Sequence, residues 1–155
     1  MQLQPKPSDY PRIRKAVSFY KAASIITGVM LLLLVAVMVM KYAFNVQLFL
    51  GTPHGFAYFY PLEAIGSDFE PQGFDLFKAI LIAHGWFYVV YLISDFLLWS
   101  PMRWGFGRFI LIALGGVIPF MSFFLEAKIV REVLGFLDVR EAELAAPAAP
   151  AAAQR

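Results

Sequence analysis

Residues 22–40, between Lys21 and Lys41, form an apolar segment of nineteen residues without a charge. As an α-helix they would extend about 28 Å at about 1.5 Å per residue, which matches the roughly 30 Å hydrocarbon core of a bilayer. A cleaved signal peptide is the alternative, but its apolar part is about 7–15 residues long and ends at a cleavage site of small residues. This segment ends instead in a lysine and aromatic residues. The sequence therefore predicts a transmembrane helix over 22–44, preceded by a basic segment, 1–21.

Two further apolar segments cover residues 76–100 and 108–126. The second of them has seventeen consecutive uncharged residues and contains Gly115, Gly116 and Pro119, so it is near the lower limit of length for a transmembrane helix. A buried re-entrant segment is the alternative, although such a segment needs shelter from other helices. We expect three transmembrane helices.

The composition agrees with a membrane protein, because 60% of the 155 residues are hydrophobic and 15% are charged. A soluble domain of this size could not bury so much apolar surface. The net charge of +2 supplies no large basic field for a nucleic acid. The chain has no Cys, which excludes disulfides and thiolate metal sites. The predicted fold class is an all-α membrane protein, and its first partner is the lipid bilayer.

The orientation follows from the basic residues near the helix ends, since Lys and Arg favour the cytoplasmic side. Basic residues precede the first helix, and Arg103 and Arg108 lie in or next to the short loop 101–107. The loop 45–75 instead carries Glu63, Asp68 and Glu70 and no Lys or Arg. We expect a multi-pass protein of the bacterial plasma membrane with a cytoplasmic N-terminus. Three spans would place the C-terminal segment outside, although its mixed charge argues weakly against that side.

Three segments lie outside the predicted spans. The loop 45–75 is rich in Gly, Pro and aromatic residues, and it forms either a compact cap or an interface with a partner. Residues 127–144 have helical apolar spacing and predict an amphipathic extension. Residues 145–155 form an Ala/Pro tail that we expect to be disordered. The candidate interface residues of the loop are Phe56, Tyr58, Phe59 and Tyr60.

One polar stripe runs along the second predicted helix at steps of four, three and four residues. At 100° per residue its members lie within about 60° of arc. They either hydrogen-bond neighbouring helices or form a path for protons or a ligand. Small and polar positions of the third segment would face them, with Thr27 and Gly28 of the first helix completing the packing. The stripe and its predicted partners are His84, Tyr88, Tyr91, Asp95, Ser122 and Glu126.

The remaining ligand-like residues match no metal motif. A histidine in a turn and solvent-exposed acidic side chains explain them without a metal ion. They are His54, Glu63, Asp68, Glu70 and Asp75. No nucleophile elbow, zinc-protease motif, Walker loop or dinucleotide fingerprint is present in the sequence. We therefore predict no enzyme activity, no cofactor and no metal site.

Several short motifs resemble a family of small membrane proteins known as domain of unknown function 3817. They are the basic segment before the first helix, His84-Gly85 followed by Tyr91, and Arg108 leading to Ile118-Pro119-Phe120 and Phe123-Phe124-Leu125-Glu126. The resemblance covers roughly residues 13–130. It implies a three-span fold, common in actinobacteria, with no assigned activity. The family usually has an acidic residue where Thr27 precedes Gly28 here, and this chain has a longer first loop and tail.

Two functions from different classes follow from these features. The first is a non-catalytic accessory or stabilising subunit of a larger membrane complex, respiratory or of the cell envelope, bound to other integral membrane proteins through the aromatic loop. The alternative is a small transporter, channel or proton-relay protein, assembled as a homo-oligomer around the polar stripe of the second helix. Transport requires that stripe to line water.

Overall fold

A computed structural model describes residues 5–65 and 70–146, so Asp68 and most of the Ala/Pro tail lie outside the described residues. The fold is mostly helical, with one small sheet. Its elements are α1 (Tyr10–Ala43), β1 (Val46–Thr52), β2 (Gly55–Pro61), β3 (Phe74–Asp75), α2 (Leu76–Met102), α3 (Phe106–Gly115) and α4 (Met121–Ala145), with 3-10 turns at Pro7–Asp9 and Leu62–Ala64.

Helices α1 and α2 form an antiparallel pair, and both are long and apolar enough to cross a membrane. Thr27 of α1 donates a hydrogen bond to the carbonyl of Phe87, at 3.0 Å. The start of α2 is fixed by Asp75, whose carboxylate accepts from the backbone N–H of Lys78 at 3.1 Å, because such a cap satisfies an N–H that has no partner within the helix. The sheet lies at one end of this pair, and the N-terminus of α1 lies at the other.

The segment predicted as one helix over 108–126 is interrupted in the structure, and that prediction is wrong. Helix α3 ends at Gly115, and α4 begins at Met121 after Phe120, which has a left-handed φ of 66°. Pro119 contributes to the break because it has no N–H to donate and its ring clashes with the preceding turn of a helix. The ten residues of α3 extend about 15 Å, about half the thickness of a hydrocarbon core.

Helices α3 and α4 form a hairpin whose turn begins at buried Gly115 and Gly116 and continues through the exposed residues 117–120. Helix α3 runs antiparallel to α2, with the rings of Trp99 and Phe109 5.7 Å apart near its start. Its far end meets α2 at Tyr91, whose hydroxyl donates to the carbonyl of Ile112. The chain then reverses, so α4 leads back towards the end of the bundle at which α3 began.

Helix α4 runs antiparallel to α1 and returns to the N-terminal end. Ser122 lies beside Ser24, whereas Arg14 forms ion pairs with Asp138 at 2.6 Å and Glu141 at 2.8 Å. The guanidinium of Arg14 donates hydrogen bonds that hold the pKa of the Glu141 carboxyl below its usual range. The three-span prediction placed the C-terminal segment at the opposite end from the N-terminus. The structure corrects it, because the break at residues 116–120 adds one reversal of the chain.

The hydrophobic core lies at the N-terminal end, where all four helices meet. Residues 127–144 belong to α4, and their apolar stripe packs against α1 in this core, which is why the amphipathic spacing continues so far along the chain. The fully buried side chains of this core include Ile13, Leu98, Ile112, Val133 and Leu137.

Residues 45–75 contain a three-stranded antiparallel sheet in the order β2-β1-β3. The all-α prediction did not include it. Strands β1 and β2 form a hairpin in which Phe49 lies opposite Tyr58 and Thr52 opposite Gly55. Gly55 has a φ of 137°, a conformation that glycine adopts more readily than other residues. Aromatic runs separated by a Gly/Pro turn are typical of a hairpin, and the sequence contained that signal.

Candidate functional site

The polar stripe of α2 forms a ladder of stacked rings inside the bundle. The ring centroids of His84 and Tyr88 are 6.3 Å apart, and those of Tyr88 and Tyr91 are 6.2 Å apart. Tyr20 of α1 joins the ladder with its centroid 5.8 Å from that of Tyr91. Asp95 follows one turn below Tyr91 and is completely buried. The predicted stripe therefore faces the interior of the bundle at Tyr91 and Asp95, whereas His84 and Tyr88 are half-buried.

The two tyrosines that α2 contributes to the ladder bind the end of α3. Tyr88 donates to the carbonyl of Ala113 at 3.2 Å, and Tyr91 donates to that of Ile112 at 2.6 Å. The last four carbonyls of a helix have no partner within the helix, and a helix end inside an apolar bundle has little water to supply one. Both hydroxyls therefore act as side-chain caps that hold the end of α3 against α2.

Two glycines allow the hairpin turn to approach the ladder closely. A Cβ at Gly116 would lie 2.6 Å from ring carbons of Tyr88, and a Cβ at Gly115 would lie 3.1 Å from the hydroxyl oxygen of Tyr91. Only a small residue permits this approach, as at many helix contacts in membranes. Gly115 and Gly116 therefore lie directly against the stripe.

The opposite side of the hairpin binds α1. The hydroxyl oxygens of Ser24 and Ser122 are 2.9 Å apart, and Ser122 also donates to the carbonyl of Ser24 at 2.9 Å. A Cβ at Gly28 would lie 3.0 Å from the ring of Phe123. Ser122 was predicted to face α2, and the structure places its hydrogen bonds on α1 instead. Glu126, one turn further along α4, is half-buried and within electrostatic range of Tyr20.

Several buried polar atoms of this region have no hydrogen-bond partner among the described residues: the hydroxyl of Tyr20, Nδ1 of His84 and both carboxylate oxygens of Asp95. An acidic side chain in the middle of a membrane helix costs about 2.5–3.5 kcal/mol on insertion scales. Burial without a partner therefore marks Asp95 as the residue of the bundle best suited to exchange a proton or bind a small cation.

The aromatic residues of the loop divide into exposed and buried positions on β2. Phe56 is 83% exposed, Phe59 51% and Tyr58 39%. Tyr60 is 5% exposed and packs edge-on against Phe49, with ring centroids 5.4 Å apart. Tyr60 therefore belongs to the core of the sheet, and its prediction as an interface residue is corrected.

The ligand-like residues of the loop do not converge. His54 stacks on Tyr58 with centroids 4.8 Å apart, whereas Asp75 accepts a hydrogen bond from Gln47 at 2.7 Å while it caps α2. Within residues 5–65 and 70–146, no three His, Asp or Glu side chains form a cluster that could hold a metal ion.

Sequence reasoning missed Tyr20 and Ser24 as residues of this site. Together with Thr27 they follow steps of four and three along α1, the same helical spacing as the stripe of α2. All three side chains are fully buried. That spacing was the available signal, because polar residues buried in a long apolar helix usually face another helix.

The fold and this site define a mostly helical protein in which two helices are long and apolar enough to cross a membrane and a polar ladder joins α2 to a helical hairpin. The chain belongs to the family described as "Domain of unknown function (DUF3817)", whose family model matches residues 17–131. No curated protein and no solved structure matches the chain.

Proposed function

We propose that this protein is an integral membrane protein in which α1 and α2 cross the bilayer and the α3–α4 hairpin enters from the N-terminal side and ends halfway. The middle of α1 and α2 presents apolar side chains outward, as lipid contact requires. The exposed residues of these helices include Ile25, Ile26, Val29, Leu33, Leu81, Ile82, Val89, Val90, Ile93 and Phe96.

The N-terminal end is the cytoplasmic end in this proposal. Among the described residues, the Lys and Arg side chains lie towards that end except for Lys41 and Lys78, and such asymmetry favours the cytoplasm. The returning α4 adds its basic residues to the same end. The mixed charge of the C-terminal segment, which argues weakly against three spans, agrees with this topology.

The absence of Cys from the sequence makes the topology easy to test. We expect Ser8→Cys and Ala142→Cys to react equally with a membrane-impermeant maleimide in inside-out vesicles, and Gln72→Cys to react in right-side-out vesicles. Reaction of Ala142→Cys on the same side as Gln72→Cys would restore the three-span topology and refute the hairpin.

Within the membrane, we propose that the protein is a non-catalytic accessory subunit of a complex. The observation that carries this proposal is the exposed surface of β2, where Phe56 and Phe59 are more than half exposed. In the described part of the sheet β2 pairs with β1 alone, so β2 is an edge strand there. Exposed apolar edge strands promote association, and large exposed apolar patches mark interaction sites.

The occupant that fits this edge is an extracytoplasmic segment of another integral membrane protein. A strand added to β2 would pair its backbone groups, and the aromatic side chains would become buried. Tagged protein, extracted in mild detergent from native membranes, should copurify with a stoichiometric partner that native gels and mass spectrometry identify.

The double variant Phe56→Ser/Phe59→Ser should release that partner while its melting temperature stays unchanged. Phe106→Ser is the matched control, because Phe106 is 65% exposed at the opposite end of the bundle, and it should retain the partner. Retention of the partner by the β2 variant would show that this interface is wrong.

A proton-relay function is the second candidate, and buried Asp95 favours it. The ladder from His84 to Asp95 ends at the hydrophobic core around Leu98, so transport needs an opening of that core or a second copy. In vesicles containing the purified protein, Asp95→Asn should abolish proton flux without changing assembly. If the wild-type protein gives no more proton flux than protein-free vesicles, this function is excluded.

A further inference from the structure

Two grooves near the N-terminal end of the bundle have the same arrangement of charged and apolar side chains. The first lies between α1 and α2 and has a volume of about 280 Å³. Its lining comprises Arg12, Lys15, Ala16, Phe19 and Leu97. The second follows α4 and has a volume of about 650 Å³. Its lining comprises Phe123, Phe124, Ala127, Lys128, Arg131 and Glu132.

Each groove changes from basic to apolar along one helix face. On α1, Arg12 and Lys15 precede Phe19, which is four residues from Lys15 and on the same side of the helix. On α4, which runs in the opposite direction, Phe124 precedes Lys128 and Arg131. The basic ends of both grooves therefore point towards the N-terminal end, and the apolar ends point towards the middle of the bundle.

Among the described residues, the basic side chains of both grooves have no acidic partner. In the described portion of the chain, neither Arg12 nor Lys15 takes part in an ion pair, and the same holds for Lys128 and Arg131. Glu132 is the one acidic residue in either lining, and it is bound by Arg108 of α3. Two uncompensated positive charges thus remain in each groove.

We propose that each groove binds an anionic phospholipid of the cytoplasmic leaflet. The phosphate would accept hydrogen bonds from the basic pair, and an acyl chain would lie against the apolar end beside Phe19 or Phe124. A groove of about 280 Å³ accommodates the headgroup, while the chains remain on the outer surface of the helices. Basic pockets between helices on the cytoplasmic side are a recognised form of lipid site.

The proposal rests on the membrane topology proposed above, so the experiment separates the two. The full-length protein is reconstituted in vesicles of equal parts phosphatidylcholine and phosphatidylglycerol and in vesicles of phosphatidylcholine alone. It is then extracted in mild detergent, and the lipids that copurify are measured by mass spectrometry. We expect enrichment of phosphatidylglycerol over phosphatidylcholine, since each basic side chain near an anionic surface strengthens binding about fivefold.

The variants Arg12→Gln/Lys15→Gln and Lys128→Gln/Arg131→Gln should each reduce the enrichment, and the combination should abolish it. Lys41→Gln/Lys78→Gln is the matched control, because it removes the same charge from two lysines that line neither groove, and it should leave the enrichment unchanged. Melting temperatures establish that every variant is folded.

Equal enrichment in the wild type and in both groove variants would overturn the proposal, as would an equal loss in the control pair. Displacement of phosphatidylglycerol by inorganic phosphate, with phosphate binding to the lipid-free protein, would show a free-anion site and also overturn it. Failure of the wild type to insert into phosphatidylcholine vesicles would instead refute the proposed membrane topology.

Discussion

Replacing Gly116 with Ala should destabilise the α3–α4 hairpin, because the added methyl group has no space. The Cβ would lie 2.6 Å from Cδ2 and Cε2 of Tyr88, whereas carbon atoms in contact lie about 3.5–4.0 Å apart. The backbone is not the obstacle, since Gly116 has a φ of −79°, which Ala adopts without strain. The Tyr88 ring cannot move freely, because its hydroxyl donates to Ala113 at 3.2 Å.

The magnitude follows from these two contacts. Overpacking of a core costs about 1–3 kcal/mol, and loss of the Tyr88 hydrogen bond costs about 0.5–1.5 kcal/mol more. We therefore expect Gly116→Ala to lower the free energy of unfolding by about 2–4 kcal/mol. For a chain of this size 1 kcal/mol corresponds to about 2–4 °C, so the melting temperature should fall by at least about 4 °C.

The same substitution at Gly135 is the matched control. Among the described residues, no atom lies within 4 Å of a Cβ built at Gly135, and the position is inside α4. Ala is favoured over Gly in a helix by about 0.8–1 kcal/mol, so Gly135→Ala should raise the melting temperature. Both variants can be followed in detergent by tryptophan fluorescence. A Gly116→Ala protein that melts at or above the wild-type temperature would refute the proposed packing of the hairpin.

Three further perturbations test other contacts. Tyr91→Phe leaves a buried carbonyl without its donor and should cost about 1–2 kcal/mol in denaturant unfolding, whereas Tyr42→Phe, at a side chain 65% exposed, should leave stability unchanged. Ser24→Ala and Ser122→Ala should show a coupling energy of about 0.6–1.7 kcal/mol in a double-mutant cycle, and additive effects would argue against their contact. The pKa of Glu141 is lowered by Arg14, so its contribution is present above the usual Glu pKa and is lost as the pH falls through the lowered value. The amide protection factor at the end of α4, which corrects for the intrinsic pH dependence of exchange, should accordingly fall at acidic pH in the wild type but not in Glu141→Gln.

Helices α1 and α2 were predictable because their sequence signals are local. An uncharged run of nineteen residues and the apolar segment of α2 specify two long helices by composition alone. Asp75 and Lys78 lie within one turn, so the start of α2 is also a local property. The spacing of Tyr88, Tyr91 and Asp95 likewise placed them on one face without knowledge of the fold.

The hairpin was harder to predict, because hydropathy shows the length of an apolar segment and does not show whether the chain reverses within it. Residues 108–126 are nearly as apolar as a span, and Pro119 alone often kinks a membrane helix without ending it. The reversal depends on contacts between distant parts of the sequence, such as Ser24 with Ser122 and Arg14 with Glu141. Neither pair can be recognised until the direction of the chain is known. Ser122 was therefore predicted to face α2, whereas it contacts α1.

The depth of the hairpin also gives the protein an unequal cross-section. With α1 and α2 crossing the bilayer as proposed, two helices pass through the outer leaflet, while the cytoplasmic leaflet also accommodates α3 and the first turns of α4. The protein therefore has the form of a wedge that displaces more lipid area on one side of the bilayer than on the other. A wedge of this shape is accommodated best where the cytoplasmic leaflet is expanded relative to the outer leaflet, so local membrane curvature would influence where copies of the protein gather.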